Sequence, residues 1–561
     1  MMSKKISSII TQNVQNGAAQ AMLYGVGLTK PDLSKYMVGI GSMQFDFNPC
    51  NKHLGILQDK CQKSICNNEN MVGFKFNTIG VSDGITNGNS GMSYSLPSRE
   101  LIADSIETMV KAHHHDAMVL IPGCDKNLPA SMMAMGRINI PSVLLYGGSI
   151  LPGTYQNKNV DIVDAFQSYG QYISGEISQE NRQELLQSCC HPNGGSCSGM
   201  YTCNTMAAIA EVLGLSMPFS STNPATSFYK AHECYVIDRV LENVLENDIK
   251  PKDIVNRDSF LNAIKLTTIL GGSTNAVIHL LAMAKEFDVH LSLQDFQDVS
   301  DITPILGNLK PHGQYSMVDI HRISGAMPGI IRYLIENNIL DGNTYTITGG
   351  TLKENIEKFN IPKLEFEKQK VFYPLNQPFK EDGHIQVLYG NLCPEGSIAK
   401  ISGKEGNYFR GPARVYDTED ELIEDLEENI IQKGDVLVIR NQGPKGGPGM
   451  PEMLKPSSVL IGANLSQDVA LLTDGRWSGG SSGFIVGHIT PEAHNNGPIG
   501  KIVNGDMITI DISNNEINLE VSNKILKKRK FKNKNKIAKN SYLTKYQKLV
   551  SDASTGCVTL V

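Results

Sequence analysis

Residues 117–148 read AMVLIPGCDKNLPASMMAMGRINIPSVLLYGG, and this stretch decides the fold. AMVLI (Ala117–Ile121) is a short continuous apolar run, the pattern of a strand covered on both faces. PGCDKNLP breaks the chain, and ASMMAMGRI resumes as a helix with Pro129 near its first turn, where a missing N–H removes no hydrogen bond. SVLLYGG (Ser142–Gly148) repeats the strand-then-glycine pattern. Strand, crossover helix and strand in this order predict a mainly parallel α/β sheet.

Upstream, Ser98–His115 puts Leu101, Ile102, Ile106, Met109 and Val110 on one helical face, with Glu100 in the first turn. Downstream, the N-terminal two thirds continues to alternate strand-like runs with amphipathic helices. The texture changes beyond about residue 365, where short β-like runs and turn residues dominate, as in GDVLVIRNQGPKGG and QDVALLTDGRWSGG. We therefore expect an α/β domain over residues 1–365 and a β-rich, barrel-like domain over 375–561, with a linker near Asn360–Pro378. One helix is expected inside the second domain, Thr418–Ile430, capped by Thr418 and Glu421, with Leu422, Ile423, Leu426 and Ile430 buried. No internal repeat is present at solenoid or propeller periods.

The 561 residues are ample for a large core. Lys+Arg 51 against Asp+Glu 57 gives a net charge of -6, which argues against a nucleic-acid coat or an anionic-membrane binder. The basic run Lys524–Lys536 is read as a surface loop. No apolar run approaches the ~20 residues that span a bilayer. The N-terminus, MMSKKISSIITQNVQNG, lacks the long apolar region of a signal peptide, so an intracellular location is expected, cytoplasm or organelle interior. Eleven cysteines, an odd count, then read as reduced thiols rather than a disulfide framework.

Reactive side chains gather in loops that follow strand-like runs: FNPCNKHL around Cys50, VSDGITNG around Asp83, PGCDKNLP around Cys124, GGSCSGMYT around Cys197, and the pair QGPKGGPGMPEM and TDGRWSGGSSG. In open α/β sheets ligands bind outside the carboxyl ends of strands, where such loops converge. Three thiolates from three loops suit an iron–sulfur cluster or a zinc ion. With no CxxC pair, however, Cys61, Cys66, Cys189 and Cys190 compete as ligands, and buried inert cysteine is the alternative for each. Asp83, Asp125 and Glu452 are the oxygen donors a hard divalent ion prefers, although loop aspartates also form turns. His113, His114 and His115 end a helix and point in different directions, which disfavours them as ligands. GPKGGPGM lacks the phosphate-loop spacing, and no G-x-G-x-x-G follows the first predicted strand.

At CDKNLPASMMAMGR (Cys124–Arg137) and LLTDGRWSGGSSG (Leu471–Gly483) the chain resembles the dihydroxy-acid and phosphogluconate dehydratase family. The resemblance runs from KPDLSKYMVGIG and NPCNKHL to KYQKLVSDASTGCVTL, almost end to end. The wording GSCSGMYTCNTMA and the overall length are nearer to the dihydroxy-acid branch than to the longer phosphogluconate one. The resemblance implies that Cys50, Cys124 and Cys197 hold an iron–sulfur cluster, 2Fe–2S or alternatively 4Fe–4S. It implies that Asp83, Asp125 and Glu452 bind magnesium beside Lys126 as a carboxylysine, and that Ser478 is the proton acceptor. Carboxylation needs a neutral amine, so Lys126 is expected to be partly buried with a lowered pKa. The implied activity is dehydration of 2,3-dihydroxy-3-methyl carboxylates to 2-keto acids in branched-chain amino-acid synthesis, by a homodimer with a small-molecule substrate. A sugar-acid dehydratase and an iron–sulfur electron-transfer or sensor protein are the competing readings. Trp477, the only tryptophan, stands where family members commonly carry Phe, and SMQFDFNPCN departs from the usual Asn-Glu-rich wording.

Overall fold

The computed structural model describes residues 5–559 except 404, 482 and 531–541; the basic run Lys524–Lys536 thus lies partly outside the described residues. Strands β1 (Tyr36–Ser42), β2 (Met71–Asn77), β3 (Ala117–Ile121) and β4 (Ser142–Leu144) form a four-stranded sheet in the order β2-β1-β3-β4. Every pairing in it is parallel, with Val38 opposite Gly73 and Ala117, and Met118 opposite Ser142. The chain steps from β1 to β2 on one side and then crosses to β3 on the other. That switch point lies at the carboxyl ends of β1 and β3, the position at which open sheets of this kind open a crevice.

The expected helix at Ser98 begins three residues earlier, at Ser95, and ends at Ala112. Ile102, Ile106 and Val110 are buried as its periodicity requires, but Glu100 is not a first-turn residue facing the dipole: it is buried and paired with Arg99. Alternation of long strands with helices stops at Leu144. A short hairpin, β5 (Gly153–Tyr155) and β6 (Lys158–Val160), is followed by helices as far as Lys358. The helix Thr202–Val212 is buried along its whole length, and Asn275–Glu286 nearly so. Helices apolar on all sides belong inside a large core, and here they pack where further strands were expected. The segment expected to be a linker is itself packed, with Val371 and Phe372 inside the same core.

Strands β7 (Ile385–Leu388), β8 (Ser397–Lys400), β9 (Tyr408–Tyr416), β10 (Val436–Ile439), β11 (Glu452–Met453), β12 (Ala470–Thr473), β13 (Arg476–Trp477), β14 (Phe484–Gly487), β15 (Met507–Asp511) and β16 (Glu516–Leu519) follow. Eight of them form one mixed sheet, β16-β15-β9-β10-β12-β14-β8-β7. Its edges meet: Tyr389, just past β7, bridges Glu516, and the Ile517 N–H donates to the Tyr389 carbonyl at 2.8 Å. The result is the barrel-like sheet expected from the sequence, nearly closed, which leaves little open edge.

More than one helix interrupts this region. Parallel neighbours need crossovers, and these are supplied by Glu419–Glu427 between β9 and β10 and by Lys455–Gly462 between β10 and β12. Thr418 caps the first of these from the Glu421 N–H, whereas the Glu421 carboxylate accepts from Asp417 rather than closing the box. That helix ends at Glu427, so Ile430 lies beyond it and is 37% exposed rather than buried. The helix Lys455–Gly462 packs against Ile162–Ile173 through Gly170 and Gly462, where a Cβ on Gly462 would sit 2.6 Å from the Gly170 Cα. This close crossing joins the barrel to the helical part. No helix among the described residues is long and apolar enough to cross a membrane.

Candidate active site

Each of β1, β2 and β3 runs into a loop that carries a predicted site residue. Cys50 lies between β1 and the helix Leu54–Asn67, Asp83 begins a short helix after β2, and Cys124, Asp125 and Lys126 fill the turn from β3 into Asn127–Ile138. The loops are tied together by side-chain amides. Asn48 Oδ1 accepts from the Cys50 N–H and Asn127 Oδ1 from the Cys124 N–H, both at 3.0 Å; Asn51 Nδ2 also donates to Asn127 Oδ1 at 3.0 Å. The loop bearing Cys197 joins them: the Gly195 N–H donates to the Pro49 carbonyl at 3.0 Å, and the Ser196 hydroxyl donates to the Gly123 carbonyl.

The three thiols consequently face one another. Hydrogen bonds with Cys124 and Cys197, reinforced by burial, push the Cys50 thiol well above its ordinary range. At Cys197 the Cys50 bond acts downward, but burial and the charges of Asp125 and Cys124 outweigh it and the thiol is raised. Cys124 is buried, while Cys50 and Cys197 retain some exposure. Thiols gathered so closely, whose thiolates would repel one another, fit a cationic metal centre that takes them as thiolates. The competing cysteines lie in other settings: Cys61 is buried against Cys234, Cys66 is exposed, Cys189 is buried and Cys190 is exposed.

Beside the thiols, Asp83, Asp125 and Glu452 each offer a carboxylate oxygen, and these atoms lie within 4.8 Å of one another. They are the one such group of three or more His, Cys, Asp or Glu ligands among the described residues. Asp83 Oδ1 accepts from the Ser95 hydroxyl at 2.8 Å, which leaves Oδ2 to face Lys126 Nζ at 2.6 Å. The same ammonium is 3.4 Å from Glu452 and 4.0 Å from Asp125. Glu452 arrives from the other part of the chain. It opens β11, which pairs in parallel with β13 so that Glu452 stands opposite Arg476 and Met453 opposite Trp477. Arg476, fully buried, forms an ion pair with Glu452 and donates Nε to the Met450 carbonyl at 2.9 Å. Ser478 follows directly, its N–H donating to the Met453 carbonyl at 2.9 Å and its hydroxyl reaching the Glu452 carboxylate.

Three buried carboxylates face two cations, Lys126 and Arg476, which leaves one negative charge uncompensated. The imbalance appears at Asp125, which burial, with Asp83 and Glu452 nearby and Lys126 only partly offsetting, pushes up to about 7. At Glu452 burial acts upward, but Arg476 and Lys126 prevail and hold it below the ordinary carboxylate range. The expectation for Lys126 is half right. It is withdrawn from solvent, almost completely rather than partly, but its pKa is raised: burial and Arg476 act to lower it, and Asp83, Glu452 and Asp125 together outweigh them. The ammonium is a counter-charge of the carboxylates. The donor set, oxygen-rich with one charge too many, fits a hard divalent cation.

Several buried ionisable groups escaped the sequence reading, and three of them bear on the site. Arg476 lies inside the quoted DGRWS, but nothing local says that its partner is 24 residues upstream. Lys400 ends the apolar run GSIAK, and a lysine there is itself a signal. Asp161 Oδ2 accepts from Ser198 Oγ at 2.9 Å, Tyr201 at 3.1 Å and Lys310 at 3.4 Å, bracing the loop after Cys197. The phosphate reading of GPKGGPGM meets a physical obstacle: the Lys445 and Gly446 N–H groups are already taken by the buried carboxylate of Glu492. His113 bonds the Met109 carbonyl of its own helix, and His115 is buried, with its pKa lowered by that burial to about 4.

An α/β frame carries a buried carboxylate group compatible with a metal ion, beside clustered thiols. Residues 35–355 match the family described as dihydroxy-acid/6-phosphogluconate dehydratase N-terminal, and residues 370–557 match its C-terminal counterpart. The chain belongs to the dihydroxy-acid/6-phosphogluconate dehydratase family, whose enzymes are hydro-lyases. It is 52% identical over 558 residues, 99% of this chain and 98% of the relative, to a dihydroxy-acid dehydratase of Francisella tularensis subsp. novicida. Dihydroxy-acid dehydratases of Lactococcus lactis subsp. lactis (50% over 557 residues, 99% of this chain and 97% of the relative) and Flavobacterium psychrophilum (51% over 557, 99% of each) are similarly close.

Proposed function

We propose that the chain dehydrates 2,3-dihydroxy-3-methyl carboxylates, 2,3-dihydroxyisovalerate and 2,3-dihydroxy-3-methylvalerate, to 2-keto acids, as in branched-chain amino-acid synthesis. The observation that carries the reading is the convergence of Asp83, Asp125 and Glu452 oxygens within 4.8 Å of one another, with Cys124 adjoining Asp125 in sequence and the Ser478 hydroxyl on Glu452. Near 50% identity over the whole chain to dihydroxy-acid dehydratases supports the substrate class over sugar acids.

In this reading Asp83, Asp125 and Glu452 hold magnesium, with Lys126 joining them as a carboxylysine, and Cys50, Cys124 and Cys197 hold the 2Fe–2S cluster. Bound there, the two groups supply Lewis acidity toward the substrate's oxygens. The chain's own work is placement and proton transfer. Ser478, beside Glu452 and reacting as its alkoxide, takes the proton from C2 as the C3–O bond breaks; returning that proton to the departing hydroxide gives water and restores the alkoxide, and the resulting enol tautomerises to the 2-keto acid. A serine oxygen is a weak base, so its neighbours must favour the alkoxide. Arg476 keeps Glu452 ionised and aimed inward. Dehydration changes no oxidation state overall, so a carboxylate site and a serine base have a task that an electron carrier or sensor would not give them. Site residues from before and after residue 365 would form one active centre at the junction of two domains, a common location for small-molecule pockets. Family membership supports a homodimer, which light scattering would register as twice the chain mass.

The test is anaerobic purification, analysis for iron, sulfide and magnesium, and assay on 2,3-dihydroxyisovalerate beside gluconate-type acids. We expect all three elements and keto-acid formation from the branched substrate; turnover of the sugar acids alone would replace the substrate assignment. An iron–sulfur protein indifferent to magnesium and inactive on both would overturn the reading.

A further inference from the structure

Lys400 ends β8 on the outer face of the barrel, the face it shares with Ile385 and Ile485, and its side chain is almost entirely buried. Unlike Lys126, it meets no carboxylate: among the described residues its ammonium donates to two backbone carbonyls, Gly479 and Ser481, each at 2.9 Å. These carbonyls belong to the turn that begins at Ser478, closed by the Ser481 N–H donating to the Ser478 carbonyl at 3.0 Å. A buried ammonium whose contacts are carbonyls rather than a carboxylate is expensive to keep: burial lowers its pKa to about 7, and the charge of Glu405, acting upward, offsets only part of it. Such a group calls for an explanation beyond packing.

The peptide geometry supplies one. In a trans peptide the C=O and the following N–H point in opposite directions. With the Gly479 carbonyl held by Lys400, the Gly480 N–H is aimed the other way, and there it meets Ser478 Oγ at 3.4 Å. The lysine thus lies at one end of a peptide dipole whose other end faces the serine oxygen. A second constraint fixes the same unit: a Cβ on Gly479 would stand 2.9 Å from Ser273 Oγ and 3.1 Å from the Thr202 nitrogen, so the turn lies flush against two other elements. The Ser481 hydroxyl and the Ser478 N–H share the Met453 carbonyl, next to Glu452.

We propose that Lys400 is a positioning residue for the dehydration: by gripping the Gly479 and Ser481 carbonyls it holds the Ser478 hydroxyl toward the Glu452 site and directs the Gly480 N–H onto the serine oxygen. The proposal rests on the reading of Ser478 as the proton acceptor. It predicts a defect in turnover rather than binding, because Lys400 touches neither the carboxylates nor the thiols.

The test uses Lys400→Met and Lys400→Gln in the metal-replete enzyme, alone and combined with Ser478→Ala. Lys400→Met should lower kcat by ~10–100-fold, the scale of a misplaced reacting group, with KM changed less than about threefold. Lys400→Gln, which retains a donor, should recover part of the loss. In the Ser478→Ala background Lys400→Met should add almost nothing, since groups acting as a unit are non-additive. A readout independent of turnover comes from Trp477, the only tryptophan, whose indole donates to the Val486 carbonyl at 3.0 Å one residue before Ser478. Its emission should become more accessible to acrylamide in Lys400→Met, with or without metals. Wild-type kcat and quenching in a folded Lys400→Met protein would overturn the proposal, as would full additivity with an impaired Ser478→Ala. Failure of both neutral variants to fold would equally overturn it, by making the lysine a folding element. Near-normal turnover in Ser478→Ala would instead remove the proton-acceptor reading and with it the catalytic role of Lys400, whatever Trp477 reports.

Discussion

The two regions of the chain bring their residues to the site by different means. In the parallel sheet, β1, β2 and β3 deliver Cys50, Asp83 and Cys124–Lys126 in turn, each just past a strand end. In the barrel, Glu452 and Ser478 come from the small β11–β13 ribbon, set beyond strands β10 and β12. That ribbon relies on buried ionisable groups: Arg476 on Glu452, Glu492 on the Lys445 and Gly446 amides, Asp474 on the Asn441, Gln442 and Ala493 amides, and Lys400 on the Ser478 turn. The difference teaches that the sheet places its donors by topology, whereas the barrel places them by a polar network that the fold must bury and satisfy.

The largest expected effect is on the sheet side. Cys50→Ser, Cys124→Ser and Cys197→Ser should each lose the visible absorbance of the cluster and all measurable turnover, while Cys61→Ser and Cys66→Ser keep both. A Cys124→Ser protein that retains its cluster would contradict the thiol assignment. Next is the barrel's reacting group: Ser478→Ala should lower kcat by ~10²–10⁴-fold with iron, sulfide and magnesium contents unchanged. Near-normal turnover in that metal-replete protein would reduce Ser478 to a turn residue.

The network itself can then be broken. Arg476→Met leaves Glu452 buried without its nearest cation, a change that typically costs ~3–5 kcal/mol. Denaturant unfolding of the metal-free protein measures it; a loss below about 1 kcal/mol would mean that Lys126 alone suffices. The smallest effect concerns pH. Burial, with Asp474 adding, pushes Glu492 up to about 8 from the ordinary 4.5, so the folded state holds a proton that the unfolded state has released. Its contribution to stability is therefore present at low pH and is lost as pH rises from about 4.5 through about 8. Glu492→Gln, a mimic of the protonated side chain, should gain a few degrees in thermal midpoint relative to the natural protein between acid and mildly alkaline pH. An unchanged difference across that range would show that Glu492 does not titrate there.

The same contrast explains what was legible in the sequence. The β3–helix–β4 unit could be read residue by residue because its signals are local: an apolar run, a turn, an apolar helix. Its loop residues stood out for the same reason, although three isolated thiols without a CxxC pair needed the family resemblance to be proposed as a ligand set. The buried helices at Thr202–Val212 and Asn275–Glu286 were harder, since a segment buried on every side lacks the one-sided periodicity that separates helix from strand. Ile430 was misplaced because the helix stops at Glu427, where no strong breaker stands in the sequence. The raised pKa of Lys126 depends on Glu452, 326 residues away, and the ion pair of Arg476 depends on a ribbon register that no short window reveals. Charges whose partners are distant in the chain were the ones missed.

The central claim is that one active centre draws a metal ligand from each region. Glu452→Gln in anaerobically purified protein tests it most directly, with magnesium, iron and sulfide measured beside turnover of 2,3-dihydroxyisovalerate. The account predicts iron and sulfide at natural levels, magnesium depleted and turnover abolished. Natural magnesium content with undiminished turnover would contradict it.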